Sequence, residues 1–179
     1  MFKDGFDKIC WLLLATACAA MAALLLTGGG AGDKRVAGPD KAFEREMAYR
    51  ARVEMIGKIY EPVETLRQQG NSQAALLKLD ELIRKYPGEA HGHILQGQIL
   101  LEMGTLEEAA ASFVEGVRLN GDYVDAKSPL SRRELIQKVV TDGLKSVGAR
   151  AAANPGNKSL AEALRRLNYL KSRLAGGCE

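Results

Sequence analysis

Apolar residues recur every three to four positions along most of the chain after residue 40, as they do on one face of a helix. The first such segment, residues 41–69, contains Pro62, which lacks a backbone donor, and we expect a kink or a break around Tyr60–Pro62. Further segments follow, separated by turns at Gly70–Asn71, Pro87–Gly88, Gly104, Asn120–Gly121 and Asn154–Asn157. No stretch alternates apolar and polar residues as a strand does. The pattern therefore predicts an all-α fold.

The N-terminal part departs from this pattern, because residues 9–32 carry no charge. The stretch ICWLLLATACAAMAALLLT is almost wholly apolar, and as a helix rising about 1.5 Å per residue it matches a hydrocarbon layer of about 30 Å. We expect a transmembrane signal-anchor at residues 9–29, after a short tail at 1–8 and before a flexible linker at 30–40. Cleavage as a signal peptide, or before Cys18 as in a lipoprotein, is the alternative.

The charges beside this segment leave its orientation open. Two lysines precede it and four basic residues follow it within residues 33–45, a count that favours a cytoplasmic C-terminal part. A lone N-terminal span, however, commonly exports the domain that follows it. We therefore expect a single-pass protein of the cell inner membrane whose soluble part is periplasmic or otherwise extracytoplasmic.

The helical part repeats itself at one constant spacing. Four kinds of residue each have a counterpart 34 positions further along the chain. They are a turn glycine, a small residue, a large apolar residue and a helix-ending residue. The pairs are Gly70 and Gly104, Ala75 and Ala109, Leu79 and Phe113, and Pro87 and Gly121. A generic helical bundle that shares these residues by chance is the alternative to a true repeat.

Helix pairs that recur with a period of about 34 residues resemble the tetratricopeptide repeat. The resemblance covers about Ile56–Ala126 and implies a short α-solenoid of antiparallel helix pairs, with repeats in residues 41–126. Residues 127–179 do not keep the period and are expected to form a divergent or capping helical hairpin with a free tail. The resemblance assigns repeat packing to Gly70, Ala75, Leu79, Pro87, Gly97, Gly104, Ala109 and Phe113.

The resemblance also implies a concave groove, lined by the first helix of each pair, that holds a peptide or a helix of a partner protein. Carried over position by position, the groove residues are Tyr60, Glu64, Arg67, His91, Ile94, Gln98 and Glu102. Solvated helix residues without a binding role are the alternative for each of them. These side chains lack the Lys and Asn of repeats that clamp a chaperone's C-terminal carboxylate, so that ligand is excluded.

Charge is unevenly spread over the chain. The net charge is +3, but residues 33–130 hold 13 basic and 16 acidic side chains, while residues 131–179 hold 10 basic and 4 acidic ones. The basic character of the C-terminal part favours an acidic partner or anionic lipid headgroups, and a solvated helix face without a partner is the alternative. Nucleic acid is not expected, because aromatic residues do not alternate with the basic ones and no binding motif is present.

The sequence carries no pattern typical of catalysis or of metal binding. Three cysteines, including Cys178 near the end, form no ligand spacing. His91 and His93 are two apart, and on a helix they point in nearly opposite directions. We expect no enzymatic activity, no metal and no cofactor. Capping boxes are predicted at three helix starts, by Thr105 with Glu108, Ser131 with Glu134, and Ser159 with Glu162.

These observations together predict a non-catalytic, membrane-anchored adaptor that binds a partner protein. Its layout is similar to that of bacterial single-span repeat proteins of the cell envelope, which act in assembly or chaperoning of membrane or exported complexes. Two alternatives remain, a structural protein that self-assembles into a homo-oligomer and an accessory subunit of a larger membrane complex.

Overall fold

The computed structural model describes residues 11, 14–16 and 39–176, and every regular element in these residues is helical. The chain divides into two units, Met1–Met47 and Ala48–Glu179, and the buried apolar side chains of the described residues belong to the second. The helices are α1 (Pro39–Gln68), α2 (Ser72–Lys85), α3 (Ala90–Glu102), α4 (Leu106–Leu119), α5 (Arg133–Ala153) and α6 (Lys158–Leu174), with a short 3₁₀ helix at Gly121–Tyr123. The prediction of an all-α fold is confirmed for these residues.

The prediction of a transmembrane helix is wrong for the part of the chain that the structure describes. None of the helices there is both long enough and apolar enough to cross a bilayer. The single-pass inner-membrane location rested on such a helix and is wrong on the same finding. Most of the predicted anchor at residues 9–29, with Cys18, lies outside the described residues, as does Cys178.

Two turns, at the ends of α1 and α3, have the same backbone geometry. Gly70 and Gly104 have φ values of +76° and +83°, in the left-handed region that glycine adopts most easily. The amides of Gly70 and Asn71 donate to the carbonyls of Arg67 and Leu66 at 2.9 and 3.0 Å. At the second turn the amides of Gly104 and Thr105 donate to Leu101 and Leu100, both at 3.0 Å. Both turns are Schellman motifs, and their separation is the spacing of the sequence repeat.

Helix α1 continues through Pro62, so the predicted break is absent. The helix is 30 residues long and contains Pro62 in its second half, before its end at Gln68. Pro62 is exposed, and solvent can therefore reach the Lys58 carbonyl that has lost its usual amide partner. Burial of the apolar residues on either side of Pro62 in sequence, such as Tyr60 and Val63, stabilises the helix across the proline.

The three predicted capping boxes are wrong. The Thr105 hydroxyl donates to the Leu100 carbonyl at 3.0 Å, within the preceding turn, and makes no cap hydrogen bond to α4. Helix α5 has Arg132 at its N-cap, with no side-chain cap bond. The N-cap of α6 is Asn157, whose Oδ1 accepts from the amides of Ser159 and Leu160. At the start of α4, Thr105 is therefore bonded within the preceding turn. At the starts of α5 and α6, Arg132 and Asn157 occupy the N-cap position in place of the predicted Ser131 and Ser159.

Helix α3 lies between two clusters of buried side chains. Leu95 and Ile99 belong to a cluster with residues of α1 and α2. Ala90 and Ile94 belong to the larger cluster built from α4, the 3₁₀ helix, α5 and α6. Apolar residues occupy nearly all faces of α3, as expected for a helix that is packed against other helices on two sides.

Glycines on α3 and α4 permit close helix contacts. A Cβ placed on Gly97 would lie 3.0 Å from three atoms of the Phe113 ring. A Cβ on Gly116 would lie 2.5 Å from Cδ1 of Ile94. Among the predicted packing residues, Ala75, Leu79, Ala109 and Phe113 are fully buried. Pro87 lies in the turn between α2 and α3.

Candidate protein-binding face

Four of the seven predicted groove residues lie together where α1 and α3 run side by side. Arg67, on the last turn of α1, donates from Nε to Glu64 at 2.8 Å and from Nη1 to Glu102 at 2.7 Å. Gln98 donates from Nε2 to the same Glu102 oxygen at 3.4 Å. We call these four residues, Glu64, Arg67, Gln98 and Glu102, the binding face.

The binding face is polar and carries an excess of negative charge. One guanidinium is shared by two carboxylates, Glu64 and Glu102, so the group has a net charge of −1. The Glu102 side chain keeps 42% of its surface exposed, against 21% for Arg67. Exposed ion pairs of this kind contribute little to stability, on the order of 1 kcal/mol or less. Glu102 therefore remains available to a basic group from outside.

The other three predicted groove residues are buried. The exposed fractions of Tyr60 and Ile94 are 1%, and that of His91 is 8%. Ile94 packs against Gly116 of α4, in the larger cluster. None of these three side chains offers a surface that a partner protein can reach in this conformation.

Tyr60 and His91 instead form a buried aromatic group with Tyr123, which sequence reasoning did not identify. The His91 ring centroid is 5.0 Å from that of Tyr60 and 6.0 Å from that of Tyr123. His91 Nδ1 and the Tyr123 hydroxyl oxygen are 2.9 Å apart and share a hydrogen bond. Tyr123 reaches this position because the 3₁₀ helix follows α4 directly and packs on it.

Burial sets the protonation of this group. Burial, reinforced by the positive charge of Arg132, lowers the pKa of His91 to about 4. Burial and the negative charge of Glu89 raise the pKa of Tyr60 to about 12. The same two causes hold the pKa of Tyr123 well above its usual range. At neutral pH all three rings are therefore uncharged.

Polar contacts from α1 surround this aromatic group. The Tyr49 hydroxyl donates to Asp122 Oδ2 at 3.1 Å and lies 3.0 Å from Ser128 Oγ. Arg52 Nη2 is 3.4 Å from Glu89 Oε2. These α1 residues precede Ile56, where the resemblance to the repeat begins, so the repeat pattern contains no signal that could have identified them.

Comparisons with protein-family models and with curated proteins identify no relative. No family model matches the chain, and no curated protein matches it either. Within residues 11, 14–16 and 39–176, no three side chains of the types that bind metals lie together.

Proposed function

We propose that this chain is a non-catalytic scaffold whose tetratricopeptide-like hairpins bind a partner protein through the binding face. The observation that carries the proposal is the recurrence, at the spacing of the sequence repeat, of the backbone hydrogen bonds at Gly70 and Gly104. Ala75 and Ala109, which have the same separation, are both fully buried and both donate their amides to the N-cap carbonyl of their helix. Equivalent hairpins stacked side by side present their first helices on one surface.

The charge of the binding face defines the kind of partner segment that fits. Glu102 is half-exposed and shares Arg67 with Glu64. A Lys or Arg of the partner that approaches Glu102 neutralises the excess charge without breaking the pair between Arg67 and Glu64. The proposed ligand is therefore a peptide or helix with a basic residue.

Site-specific photocrosslinking in cells tests this proposal. A photoreactive phenylalanine replaces Gln98 on the binding face, and in a control protein it replaces Gln73, which lies on α2. We expect a discrete heavier product from position 98, absent from position 73, and reduced severalfold by Glu102→Lys. Equal products from both positions, or a product that contains two copies of this chain, would contradict the proposal.

A further inference from the structure

A groove of about 260 Å³ lies between α4 and α6, which pack directly against each other. Its residues come from the second half of α4 and the middle of α6, at positions three or four apart that share one face of each helix. They are Val114, Arg118, Glu162, Arg165, Arg166 and Tyr169. We call this set the arginine groove, and it shares no residue with the binding face.

The arginine groove contains more positive than negative charge. Three guanidinium groups and the carboxylate of Glu162 line it, which gives the lining a net charge of +2. Arg165 and Arg166 both pair with Glu162, which can neutralise only one of them. Arg118 pairs with Glu115, which lies outside the groove, at 3.1 Å. With Glu115 included, the group still has a net charge of +1.

An aromatic ring positions the arginine of α4. The guanidinium carbon of Arg118 lies 5.2 Å from the centroid of the half-buried Tyr169 ring, a cation–π contact. A guanidinium that stacks on a ring still has N–H groups in its own plane, where they can donate to carboxylate oxygens. The ring therefore reduces the conformational freedom that Arg118 would lose when it binds a ligand.

All three arginines have donors that an incoming acceptor can use. A guanidinium has donors on each of its nitrogens, and each ion pair above involves one nitrogen of its arginine. The three side chains are between 40% and 75% exposed. Ion pairs exposed to this degree contribute about 1 kcal/mol or less, so a ligand carboxylate can join or replace them at small cost.

The surroundings of the groove favour a protein ligand over a membrane or a nucleic acid. Neither α5 nor α6, which the structure describes throughout, exposes a large apolar side chain that could enter a bilayer. Leu167 and Leu170 of α6 are instead buried in the larger cluster. Arg118 already stacks on Tyr169, the one aromatic residue of the groove, and competes with a nucleic-acid base for that ring.

We propose that the arginine groove binds an acidic segment of another protein, whose Asp or Glu side chains pair with Arg118 on α4 and with Arg165 and Arg166 on α6. The guanidinium groups can donate to these carboxylates in bidentate pairs. The volume is below that of cavities that enclose a small ligand, roughly 300–1,000 Å³, so the groove holds side chains of a longer chain. This ligand is opposite in charge to the one proposed for the binding face, and the two proposals are independent.

Fluorescence anisotropy with the full chain tests the ligand chemistry. Two fluorescein-labelled peptides of equal length contain Glu or Gln at alternate positions of a Gly–Ser background. We expect the Glu peptide to bind at least about tenfold more tightly than the Gln peptide. No binding of the Glu peptide up to about 1 mM, or equal binding of the Gln peptide, would overturn the proposal.

Charge-matched variants test the location. Arg118→Gln with Arg165→Gln removes two charges from the groove, and Lys138→Gln with Lys145→Gln removes two from exposed positions of α5 outside it. We expect about tenfold or greater weakening in the groove variant and less than about twofold in the control. Equal weakening in both would show that the peptide responds to net charge alone, and the proposal would be wrong.

Removal of the groove carboxylate is expected to strengthen binding. Glu162→Gln eliminates the group that competes with the ligand for Arg165 and Arg166. We expect the Glu peptide to bind about threefold or more tightly to this variant, and to change by less than about twofold with Asp142→Asn. Asp142→Asn makes the same change in charge at an exposed position of α5. Unchanged or weaker binding to Glu162→Gln would contradict the proposal.

An oligothymidylate with as many charges as the Glu peptide tests the nucleic-acid alternative. We expect it to bind the wild type less tightly than the Glu peptide does. If it binds more tightly and loses its affinity in the arginine variant but not in the lysine control, the groove binds nucleic acid and the proposal is overturned.

Discussion

Individual glycines determine how closely the helices of the second unit approach. Gly116 lies directly against Ile94, so that a methyl group there would overlap the isoleucine side chain and lie 3.2 Å from its backbone nitrogen. Gly57, on α1, has no atom within 4 Å of the position its Cβ would take. A methyl group added at Gly116 would therefore clash with its neighbour, whereas one added at Gly57 would not.

Gly116→Ala is expected to destabilise the protein by about 1–2 kcal/mol, because the cost of overpacking exceeds the gain in helix propensity. Gly57→Ala, the control, is expected to stabilise it by up to about 1 kcal/mol, since only the backbone entropy term changes. Urea unfolding followed by circular dichroism measures both. A stabilised Gly116→Ala variant would contradict the close contact with Ile94.

A second effect at this scale is the dependence of stability on the protonation of His91. Its pKa in the folded protein is about 4, below the usual value of about 6.5 in an unfolded chain. As the pH falls from 6.5 towards 4, the unfolded chain takes up a proton that the folded protein does not. The contribution of neutral His91 to the free energy of unfolding is complete above pH 6.5. It is lost progressively as the pH falls to 4, by about 3 kcal/mol in total.

The free energy of unfolding is therefore expected to decrease between pH 7 and pH 4.5, and this decrease should be much smaller in His91→Asn. His93→Asn replaces the other histidine of the chain and is the control, expected to keep the wild-type pH dependence. Denaturant titrations at several pH values provide the measurement. If the free energy of unfolding of His91→Asn depends on pH as strongly as that of the wild type, titratable groups other than His91 cause the decrease.

At the scale of elements, the turns after α1 and α3 are the most regular feature of the fold. In both, glycine adopts a positive φ and the same two amide-to-carbonyl hydrogen bonds end the helix. Gly88, in the turn between α2 and α3, does not have a positive φ and has free space around it. Of these three positions, only those of Gly70 and Gly104 have a backbone conformation that requires glycine.

Gly70→Ala and Gly104→Ala are each expected to cost about 1–2 kcal/mol, because an alanine Cβ is strained in the left-handed region. The two costs should be similar, since the motifs are equivalent. They should add in the double variant, since at neither glycine would the added Cβ lie within 4 Å of another group. Gly88→Ala is expected to change stability by less than about 0.5 kcal/mol. Unequal costs at Gly70 and Gly104 would show that the two turns are not energetically equivalent.

For the second unit as a whole, α3 couples the two apolar clusters. It contributes Leu95 and Ile99 to one cluster and Ala90 and Ile94 to the other. The loss of packing in one cluster therefore loosens the helix on which the other depends, and we expect the unit to unfold in a single transition.

Leu79→Ala tests this coupling because Leu79 is fully buried in the cluster of α1 and α2. We expect a loss of about 2–5 kcal/mol, the usual range for a buried leucine, and reduced hydrogen-exchange protection in α5 and α6 as well as in α2. Leu77→Ala, nearby on α2 with the side chain 70% exposed, is the control, with less than about 0.5 kcal/mol expected. Reduced protection confined to α1–α3 would show that the clusters unfold separately.

The sequence predicted local and periodic features well. The glycines that end α1 and α3 follow from residue type and spacing, and the resemblance to the tetratricopeptide repeat assigned Ala75, Ala109, Gly97 and Phe113 to packing. The predictions of capping boxes were wrong because the hydrogen bonds at the start of a helix also depend on the turn that precedes it. Thr105, for example, is already part of the turn that ends α3. Of the seven predicted groove residues, three are buried, since burial depends on which other segments cover a helix.

By itself, the sequence determined the helical class of the described chain, the positions of its turns and the constant spacing between the two glycine turns, because these depend on periodicity and on the conformational limits of glycine and proline. Only the tertiary structure decided that Tyr60 and His91 are buried under Tyr123 while Arg67 and Glu102 meet on the surface. It also decided that α4, α5 and α6 together line a cleft, with Leu106, Val147 and Ala163 among its residues. Burial and clefts arise from the distances between elements remote in sequence, which no local pattern encodes.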